Sequence, residues 1–208
     1  MDLNEYQRFL DELVAAAEQN DAVIGLVALG STAGDSRGPD EFSDHDVWVV
    51  TVDGAADVLQ EDRSWLPDAH RIVGYFVETR HGRSVIYNDG HLLELAVFDD
   101  GELEVTQAND YRVLYDAGGI AERLQAIAAR TAREHHFGFA AEHSAGSFVT
   151  QMLIGLGRYG RGELLSANQL LRELAPTSLV RVVAATTSAA DGEPMDNLDP
   201  RRRFERAY

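Results

Sequence analysis

Residues 23–50 read VIGLVALGSTAGDSRGPDEFSDHDVWVV. In this segment an apolar run ends at Gly30-Ser31, a polar loop follows, and Asp44 and Asp46 stand just before a second apolar run. Glycine lets the backbone approach a phosphate closely, and Ser31 adds a hydroxyl and a backbone N–H. Two carboxylates two residues apart at the start of a strand repel each other unless a divalent cation lies between them. The pattern therefore predicts a metal-dependent site that binds the phosphates of a nucleotide.

The two apolar runs of this segment are predicted to be neighbouring strands. Residues 22–29 form a continuous apolar run of strand length, which is typical of a central strand covered on both faces. Residues 46–52 predict a second strand. Side-chain alternation places Asp44 and Asp46 on one face of that strand and His45 on the other. We therefore interpret His45 as a packed or hydrogen-bonded residue and not as a metal ligand.

The other elements of the N-terminal half follow from periodicity and turn residues. Apolar residues recur at three-to-four spacing over residues 3–19, which predicts an amphipathic helix, and Asp2 stands where a cap is expected. Asn88-Asp89-Gly90 is a strong tight-turn signal, so the runs on either side of it should pair as a hairpin. The remaining predictions are a helical turn near residues 31–34, a short helix at 55–60, and strands at 71–79, 83–88, 91–98, 102–107 and 112–115.

The periodicity changes from about two to about 3.6 residues after Gly118-Gly119. Helices are predicted at residues 120–134, 136–158, 161–174 and 177–190. Residues 158–162 and Ala175-Pro176 are expected to separate the last three of them. The predicted fold class is therefore α+β: a domain with a mixed sheet over residues 1–117, followed by an all-α helical-bundle domain over residues 118–208.

The composition excludes several classes of partner. The chain has 208 residues with 35 acidic and 18 basic side chains, a net charge of −17, and no cysteine. All the basic residues are arginine. A surface this acidic argues against binding to nucleic acids or anionic membranes, and the missing thiols exclude a disulfide framework or a thiolate zinc site. The N-terminal segment lacks the blocks of a signal peptide and no apolar run is long enough to cross a membrane, so we expect a cytoplasmic protein.

A third carboxylate is needed for a two-metal site or a general base, and Glu94 is the best candidate. It lies within HLLELAVF, residues 91–98, where its near neighbours are apolar. A charged residue in the middle of a core strand is usually paired or bound to a metal. Asp99 and Glu78 are weaker candidates because each lies near a strand end.

Gly30-Ser31, the triplet Asp44-His45-Asp46 and the apolar strand after it resemble the signature of the polymerase-β-like nucleotidyltransferase superfamily. Within that superfamily the chain is most similar to the antibiotic-type (aminoglycoside and lincosamide) small-molecule nucleotidyltransferases, which join such a domain to a helical C-terminal half. Residues 113–116 and 161–167 fit the same resemblance, which covers most of the chain through short motifs.

The resemblance implies a Mg²⁺-dependent enzyme that transfers a nucleoside monophosphate, expected to be AMP from ATP, to a hydroxyl of a small molecule such as an antibiotic. Pyrophosphate is released in such a reaction. Gly30, Ser31, Asp44 and Asp46 are then the nucleotide-binding residues. The same two aspartates hold two Mg²⁺ ions, and Glu94 is the third metal ligand or the base.

The resemblance also points to an acceptor site in the helical half, with Glu163 as a candidate residue. His136 is a second candidate, because helical spacing places it on one stripe with His143. His136 has a second interpretation as a packed structural histidine. Because the chain has no lysine, any cationic contact to the triphosphate must come from arginine, and the candidates are Arg37, Arg80, Arg83 and Arg161. The acidic residues of the loop over 35–41 would repel a triphosphate unless they face away from it.

Two alternatives remain open at the level of sequence. The same kind of domain occurs in toxin–antitoxin systems that modify proteins, although such systems usually keep the helical module on a separate chain. The chain could also be a nucleotide-binding regulatory module without turnover, which the acidic loop and the missing lysine favour. The sequence names neither the acceptor nor the oligomeric state.

Overall fold

The computed structural model of the chain describes residues 2–34, 38–133, 141–188, 196, 198–199, 201–202 and 204–208. These residues fall into two compact units, Met1–Thr131 and Ala132–Tyr208. The first unit combines a sheet with helices and the described part of the second is helical, so the predicted α+β class with a mixed sheet is confirmed.

Six strands form one sheet in the first unit. They are β1 (Val23–Leu29), β2 (His45–Thr51), β3 (Ile72–Val77), β4 (Gly82–Tyr87), β5 (Leu92–Asp99) and β6 (Tyr111–Asp116). Their order across the sheet is β3-β4-β5-β2-β1-β6. The pair β2–β5 is parallel and every other neighbouring pair is antiparallel, which makes the sheet mixed. The predicted hairpin around Asn88-Asp89-Gly90 is the antiparallel pair β4–β5.

Helices cover both faces of this sheet. They are α1 (Leu3–Glu18), α2 (Gly30–Ala33), α3 (Ala56–Glu61) and α4 (Ile120–Arg133), with 3₁₀ helices at Ala69–Arg71 and Asp100–Val105. Helix α1 begins as predicted, because the Asp2 carboxylate accepts hydrogen bonds from the N–H groups of Asn4 and Glu5. Such a cap satisfies donors that the first helical turn leaves without an intrahelical partner.

Side chains alternate between the two faces of the sheet along β2, and each face packs into a different core cluster. Val47 and Val49 point into the cluster formed with α1 and α3, where Phe9 and Leu13 of α1 are almost completely buried. Val50 points to the other face and packs with the residues of α4. One end of this second face is therefore covered by α4, and Asp46 lies toward the other end of the same face.

The strand predicted at residues 102–107 is wrong. Asp100–Val105 is a 3₁₀ helix that begins at a capping box, in which the Asp99 N–H donates to the Glu102 carboxylate at 3.1 Å. Leu103 is fully buried in the second core cluster. The alternation of acidic and apolar residues in this segment resembles a strand, but the cap satisfies the backbone locally and outweighs that pattern.

The described helices of the second unit are α5 (Ala141–Gly160), α6 (Leu164–Asn168), α7 (Ala175–Thr186) and α8 (Phe204–Ala207). A π-helix at Gln169–Leu174 joins α6 to α7 without a break, so the break predicted at Ala175-Pro176 is wrong. Proline lacks an N–H and its ring clashes with the carbonyl of a preceding turn. Here the helix widens to a π-turn ahead of Pro176 instead of ending.

Helix α4 belongs to the first unit. Its residues Ile120, Leu124 and Ile127 are fully buried against the sheet. The division of the structure near residue 131 therefore differs from the predicted domain boundary near Gly118-Gly119 by almost the length of this helix. Over the described ranges, no helix combines the length and apolar character that crossing a membrane requires.

Candidate functional site

Asp46 and Glu94 lie side by side on the same face of the sheet. They are register partners in the parallel pair β2–β5, and Ser84 of β4 is the register partner of Glu94 on its other side. Neighbouring strands are about 4.8 Å apart, so these side chains form one continuous row. We call Asp46, Glu94 and Ser84 the carboxylate row. Glu94 is exposed and Asp46 is partly exposed, and the Ser84 hydroxyl donates to the Glu78 carboxylate at 2.9 Å.

Glu94 is exposed, whereas its selection from the sequence assumed that it is buried. The sequence placed it among apolar residues, where a buried charge would need a partner, but in the structure it lies on a solvated part of the sheet. Burial therefore gives no reason for a carboxylate at this position. Its relevance comes from its register with Asp46, a relation between strands that are far apart in the chain.

Asp44 is held through its backbone. It immediately precedes β2, and its carbonyl accepts a hydrogen bond from the Tyr6 hydroxyl at 2.9 Å. The Thr32 hydroxyl lies 2.8 Å from the Tyr6 hydroxyl and accepts from the Asp46 N–H at 3.0 Å. The Thr32 hydroxyl donates to the same Asp44 carbonyl at 3.3 Å, so the hydroxyls of Tyr6 and Thr32 both contact this carbonyl. One continuous hydrogen-bond chain thus connects the backbone of both aspartates to α1 and α2.

The donor role of Tyr6 is protected by its environment. Tyr6 is only 4% exposed, and burial raises the pKa of its hydroxyl above the ordinary value of 10. The hydroxyl therefore keeps its proton across the physiological pH range. Thr32 is equally buried, so the hydrogen bond between Tyr6 and Thr32 lies away from solvent, where losing a partner is costly, and the bond from the Asp46 N–H to Thr32 is partly buried.

Gly30 and Ser31 lie at the end of β1, in the single turn of α2. The Gly30 N–H donates to the Asp110 carbonyl at 3.0 Å, and its φ of 51° is in the region that favours glycine. Arg112 of β6 approaches the same turn, because its guanidinium donates to the Thr32 carbonyl at 3.3 Å. The turn predicted to bind phosphates therefore has an arginine beside it, and it is attached through Thr32 to the Asp46 backbone.

His45 is buried on the opposite face, as predicted. Its Nε2 lies 3.1 Å from the Tyr6 carbonyl and its Nδ1 lies 2.8 Å from Nε2 of His91. A carbonyl can only accept, so the proton of neutral His45 is on Nε2, and His91 donates to Nδ1. Burial, and the neighbouring His91, lower the pKa of His45 to about 3, and burial lowers the pKa of His91 to about 4. The pair is therefore neutral near pH 7.

This neutral pair predicts a loss of stability on mild acidification. An unfolded histidine titrates near 6.5, so the stability from the neutral pair is complete above that pH and falls as the pH drops toward the folded values of about 4 and about 3. The expected slope is about 1.4 kcal/mol per pH unit for each histidine. Urea unfolding at pH 7, 6 and 5 measures it.

Two variants distinguish the contribution of the His45–His91 pair to this slope from that of other groups that titrate between pH 7 and 5. His91→Gln should remove about half of the slope between pH 6.5 and 5. His70→Gln changes an exposed histidine on the same unit and should leave the slope unchanged. An unfolding free energy that stays constant from pH 7 to 5 in the wild type contradicts the assignment of a neutral pair.

The side chains of this region offer carboxylate oxygens, which are the ligands that Mg²⁺ takes in proteins. Among the described residues no three His, Asp or Glu side chains are already arranged to hold a metal together. Mg²⁺ does not need such a group, because it is usually bound by one or two carboxylates and completes its shell with water and substrate phosphates. Asp46 and Glu94 in register, with Asp44 two residues upstream, could supply carboxylates of this kind.

The structure places the arginines proposed for the triphosphate in different surroundings. Arg83 is 6% exposed and donates to the buried Gln60 side chain at 2.5 Å, on the face opposite the carboxylate row, so the prediction of a phosphate contact is wrong for it. Arg80 pairs with Glu102 at 3.1 Å, toward the end of β5 away from Glu94. Arg37 lies outside the described residues, as does Asp35 of the acidic loop.

The two acceptor candidates stay predictions. Glu163 lies in the second unit, where Arg161 donates to its carboxylate at 2.9 Å. This ion pair also occupies the last arginine proposed for the triphosphate. His136 lies outside the described residues, together with the neighbouring residues from 134 to 140.

Sequence reasoning missed four residues of this region: Tyr6, Thr32, His91 and Arg112. Tyr6 was assigned only to the apolar stripe of α1, and no local pattern relates it to Thr32 or Asp44. The one available signal was in β6. Arg112 stands there beside apolar and aromatic residues, and an arginine in such a position indicates that its guanidinium has a specific partner.

Comparisons with known proteins add a distant likeness. No protein-family model matches the chain, and no curated protein matches it. Among solved structures the chain is similar to an aminoglycoside 6-adenyltransferase from Bacillus subtilis, with 16% sequence identity and a TM-score of 0.40. The match covers 86% of this chain and 66% of that one, so the chain spans slightly less than two thirds of its length. A likeness this distant leaves the function to be argued from the residues.

Proposed function

We propose that this chain is a Mg²⁺-dependent nucleotidyltransferase that transfers a nucleoside monophosphate, AMP from ATP, to a hydroxyl of a small molecule. The observation that carries the proposal is the register of Asp46 with Glu94, on one sheet face, next to the Gly30-Ser31 turn. The hydrogen bond between the Asp46 N–H and Thr32 supports it, because this bond ties the phosphate-binding turn to the metal-binding strand.

Each group of the chain has a defined part in the proposed reaction. Gly30 and Ser31 bind the phosphates, and Asp44, Asp46 and Glu94 are the residues that would hold Mg²⁺. Bound Mg²⁺ supplies activation of the attacking oxygen and neutralises charge on the leaving pyrophosphate. A bond forms between the acceptor oxygen and the α-phosphorus, and the bond from that phosphorus to the bridging oxygen of pyrophosphate breaks. In this scheme Glu94 takes the proton of the hydroxyl or serves as the third metal ligand.

The proposal is tested by following pyrophosphate release. Purified protein is incubated with MgATP and a panel of hydroxyl-bearing small molecules, and the product is identified by mass as the acceptor plus AMP. Acceptor-dependent release is the expected result. Tight MgATP binding without release across the panel would instead support a regulatory module. Release that requires a protein acceptor would support the toxin–antitoxin alternative.

Arg112 is predicted to contact the triphosphate. It is exposed and its guanidinium lies beside the turn of Gly30-Ser31, where a hydrogen bond to a charged phosphate group is strong. Arg112→Gln should raise the KM for ATP by about tenfold with little change in kcat. Initial rates of pyrophosphate release over a range of MgATP concentrations measure this effect.

Arg80→Gln is the matched control for this prediction. Arg80 was an equal candidate in the sequence, but it pairs with Glu102 away from the carboxylate row. Its removal should leave the KM for ATP unchanged. If Arg80→Gln raises the KM and Arg112→Gln does not, the placement of the triphosphate beside β6 is wrong.

A further inference from the structure

The carboxylate row includes a side-chain hydroxyl, that of Ser84. Ser84 is the register partner of Glu94 on one side and of Phe76 on the other. It is partly exposed and Phe76 is 55% exposed, so a bound molecule can reach the hydroxyl from the solvent. With about 4.8 Å between strands, Ser84 is about 5 Å from Glu94 and about 10 Å from Asp46. The chain therefore has a hydroxyl of its own beside the carboxylates that are proposed to act on a hydroxyl.

The hydrogen-bond partner of the Ser84 hydroxyl is a carboxylate. Its Oγ donates to Oε1 of Glu78 at 2.9 Å. Glu78 directly follows β3, and its N–H donates to the Gly82 carbonyl at 3.0 Å, so the turn from β3 to β4 holds it beside Ser84. A hydroxyl whose proton is directed at a carboxylate has the arrangement of a nucleophile with its general base. Glu78 was considered from the sequence as a metal ligand, and the structure gives it this different partner.

The strand order places Ser84 on the side from which a hydroxyl attacks in the proposed reaction. Ser31 follows β1, which neighbours β2 on the side opposite β5 and β4. In phosphoryl-group transfer the attacking and leaving oxygens lie roughly in line, on opposite sides of the phosphorus. With pyrophosphate leaving toward the Gly30-Ser31 turn, the attacking oxygen comes from the side of Glu94 and Ser84. The Ser31 hydroxyl lies on the leaving side and is excluded as the attacking group.

From this arrangement we infer that Ser84 is an internal acceptor, to which the chain transfers AMP from MgATP when no small-molecule acceptor is present. The Ser84 Oγ forms a bond to the α-phosphorus, and the bond from that phosphorus to the bridging oxygen of pyrophosphate breaks. The hydroxyl proton passes to Glu78, and the product is a phosphate diester between Ser84 and AMP. This inference rests on the proposed function for the transfer step, whereas the placement of Ser84 rests on register and its hydrogen bond.

The first test measures the mass of the whole chain after incubation with MgATP and no other acceptor. The wild type should gain one AMP group, and fragment-ion mass spectrometry should locate that group on Ser84. Ser84→Ala should gain none, whereas Ser84→Thr, which keeps a hydroxyl, should be modified again. Ser64→Ala is the matched control, because Ser64 is an exposed serine in the connector after α3 of the same unit. It should be modified as the wild type is.

Glu78→Gln tests the role of the carboxylate. Glutamine still accepts a hydrogen bond from Ser84 but cannot take its proton, so self-modification should slow by about a hundredfold with the KM for ATP unchanged. Glu61→Gln removes an exposed carboxylate at the end of α3 and should leave the rate unchanged. Thermal unfolding of each variant confirms that it is folded. Equal rates for the wild type and Glu78→Gln contradict the proton transfer to Glu78.

A second readout is independent of the transfer step. The chain has no cysteine, so Ser84→Cys introduces a single thiol into the row. With Mg²⁺ and a non-hydrolysable ATP analogue at about ten times its Kd, alkylation of this thiol by iodoacetamide should slow by about tenfold, because the bound phosphates cover it. Ser64→Cys should be alkylated at the same rate with and without the analogue. Equal alkylation rates of Ser84→Cys in the two conditions contradict a nucleotide bound beside Ser84.

The pyrophosphate assay separates a failure of this inference from a failure of the proposed function. A wild-type chain that stays unmodified while it releases pyrophosphate with a small-molecule acceptor retains the transferase and rejects the internal acceptor. AMP on another residue that persists in Ser84→Ala also overturns the inference. AMP on Ser84 without turnover of any small molecule supports it and rejects the small-molecule acceptor. Neither modification nor release rejects both, and protection of Ser84→Cys in that case indicates a nucleotide-binding module.

Discussion

Asp46→Asn should abolish pyrophosphate release, lowering kcat/KM by about a thousandfold, or about 4 kcal/mol of transition-state stabilisation. The substitution keeps the shape of the side chain and keeps the backbone N–H that donates to Thr32. It removes the negative charge with which Asp46 would bind the proposed Mg²⁺ beside Glu94. The measurement is the initial rate of pyrophosphate release at saturating and limiting MgATP, together with the thermal unfolding midpoint.

The control for this prediction is Asp21→Asn, which removes one carboxylate from an exposed turn of the same unit. It should leave both the rate and the unfolding midpoint unchanged. Asp46→Asn should unfold at the wild-type temperature or above it, because a carboxylate next to Glu94 experiences repulsion in the absence of a cation. Equal rates for the wild type and Asp46→Asn would reject the metal site and the transferase with it.

Thr32→Val should lower kcat by about tenfold to a hundredfold, because it removes the hydroxyl that holds the backbone of Asp46 and connects to Tyr6. Valine has nearly the same shape, but it leaves the partly buried N–H of Asp46 without its acceptor. The expected loss of unfolding free energy is about 2 kcal/mol. Urea unfolding measures this loss, and steady-state kinetics separate kcat from the KM for ATP.

Thr32→Ser distinguishes the role of Thr32 in positioning Asp46 from its contribution to the stability of the fold. Serine restores the hydroxyl but leaves a cavity of one methyl group, so it should remain less stable than the wild type by about 1 kcal/mol while recovering most of kcat. The concentration of Mg²⁺ that gives half of the maximal rate should rise in Thr32→Val and return in Thr32→Ser. If both variants lose activity only in proportion to their stability, Thr32 does not position Asp46.

The local elements of the sheet could be predicted from the sequence because their signals are local. The apolar run of β1, the turn at Asn88-Asp89-Gly90 and the cap at Asp2 each act within a few residues. The errors arose where two local signals competed. At residues 102–107 a capping box outweighed an alternating pattern, and at Pro176 a π-turn absorbed a residue that normally ends a helix.

The residues of the candidate site were only partly accessible from the sequence. Asp46 was found because its partner in the motif, Asp44, is two residues away. Glu94 was selected by its apolar neighbours, and the structure gives a different reason for it, which is its register with Asp46. Tyr6 and Thr32 were missed because a hydrogen bond between residues 26 positions apart leaves no mark on either local segment.

By itself, the sequence determined which segments are helices or strands, how acidic the chain is, and that a pair of aspartates leads into β2. These features depend only on composition and on spacing within single segments. Only the tertiary structure decided that β5 lies beside β2 in parallel register and that the Tyr6 hydroxyl of α1 donates a hydrogen bond to the Asp44 carbonyl. It also decided that an exposed phenylalanine continues the carboxylate row. The physical reason is that strand order and register are set by how complete faces of the sheet pack, and such packing joins residues that no local pattern relates.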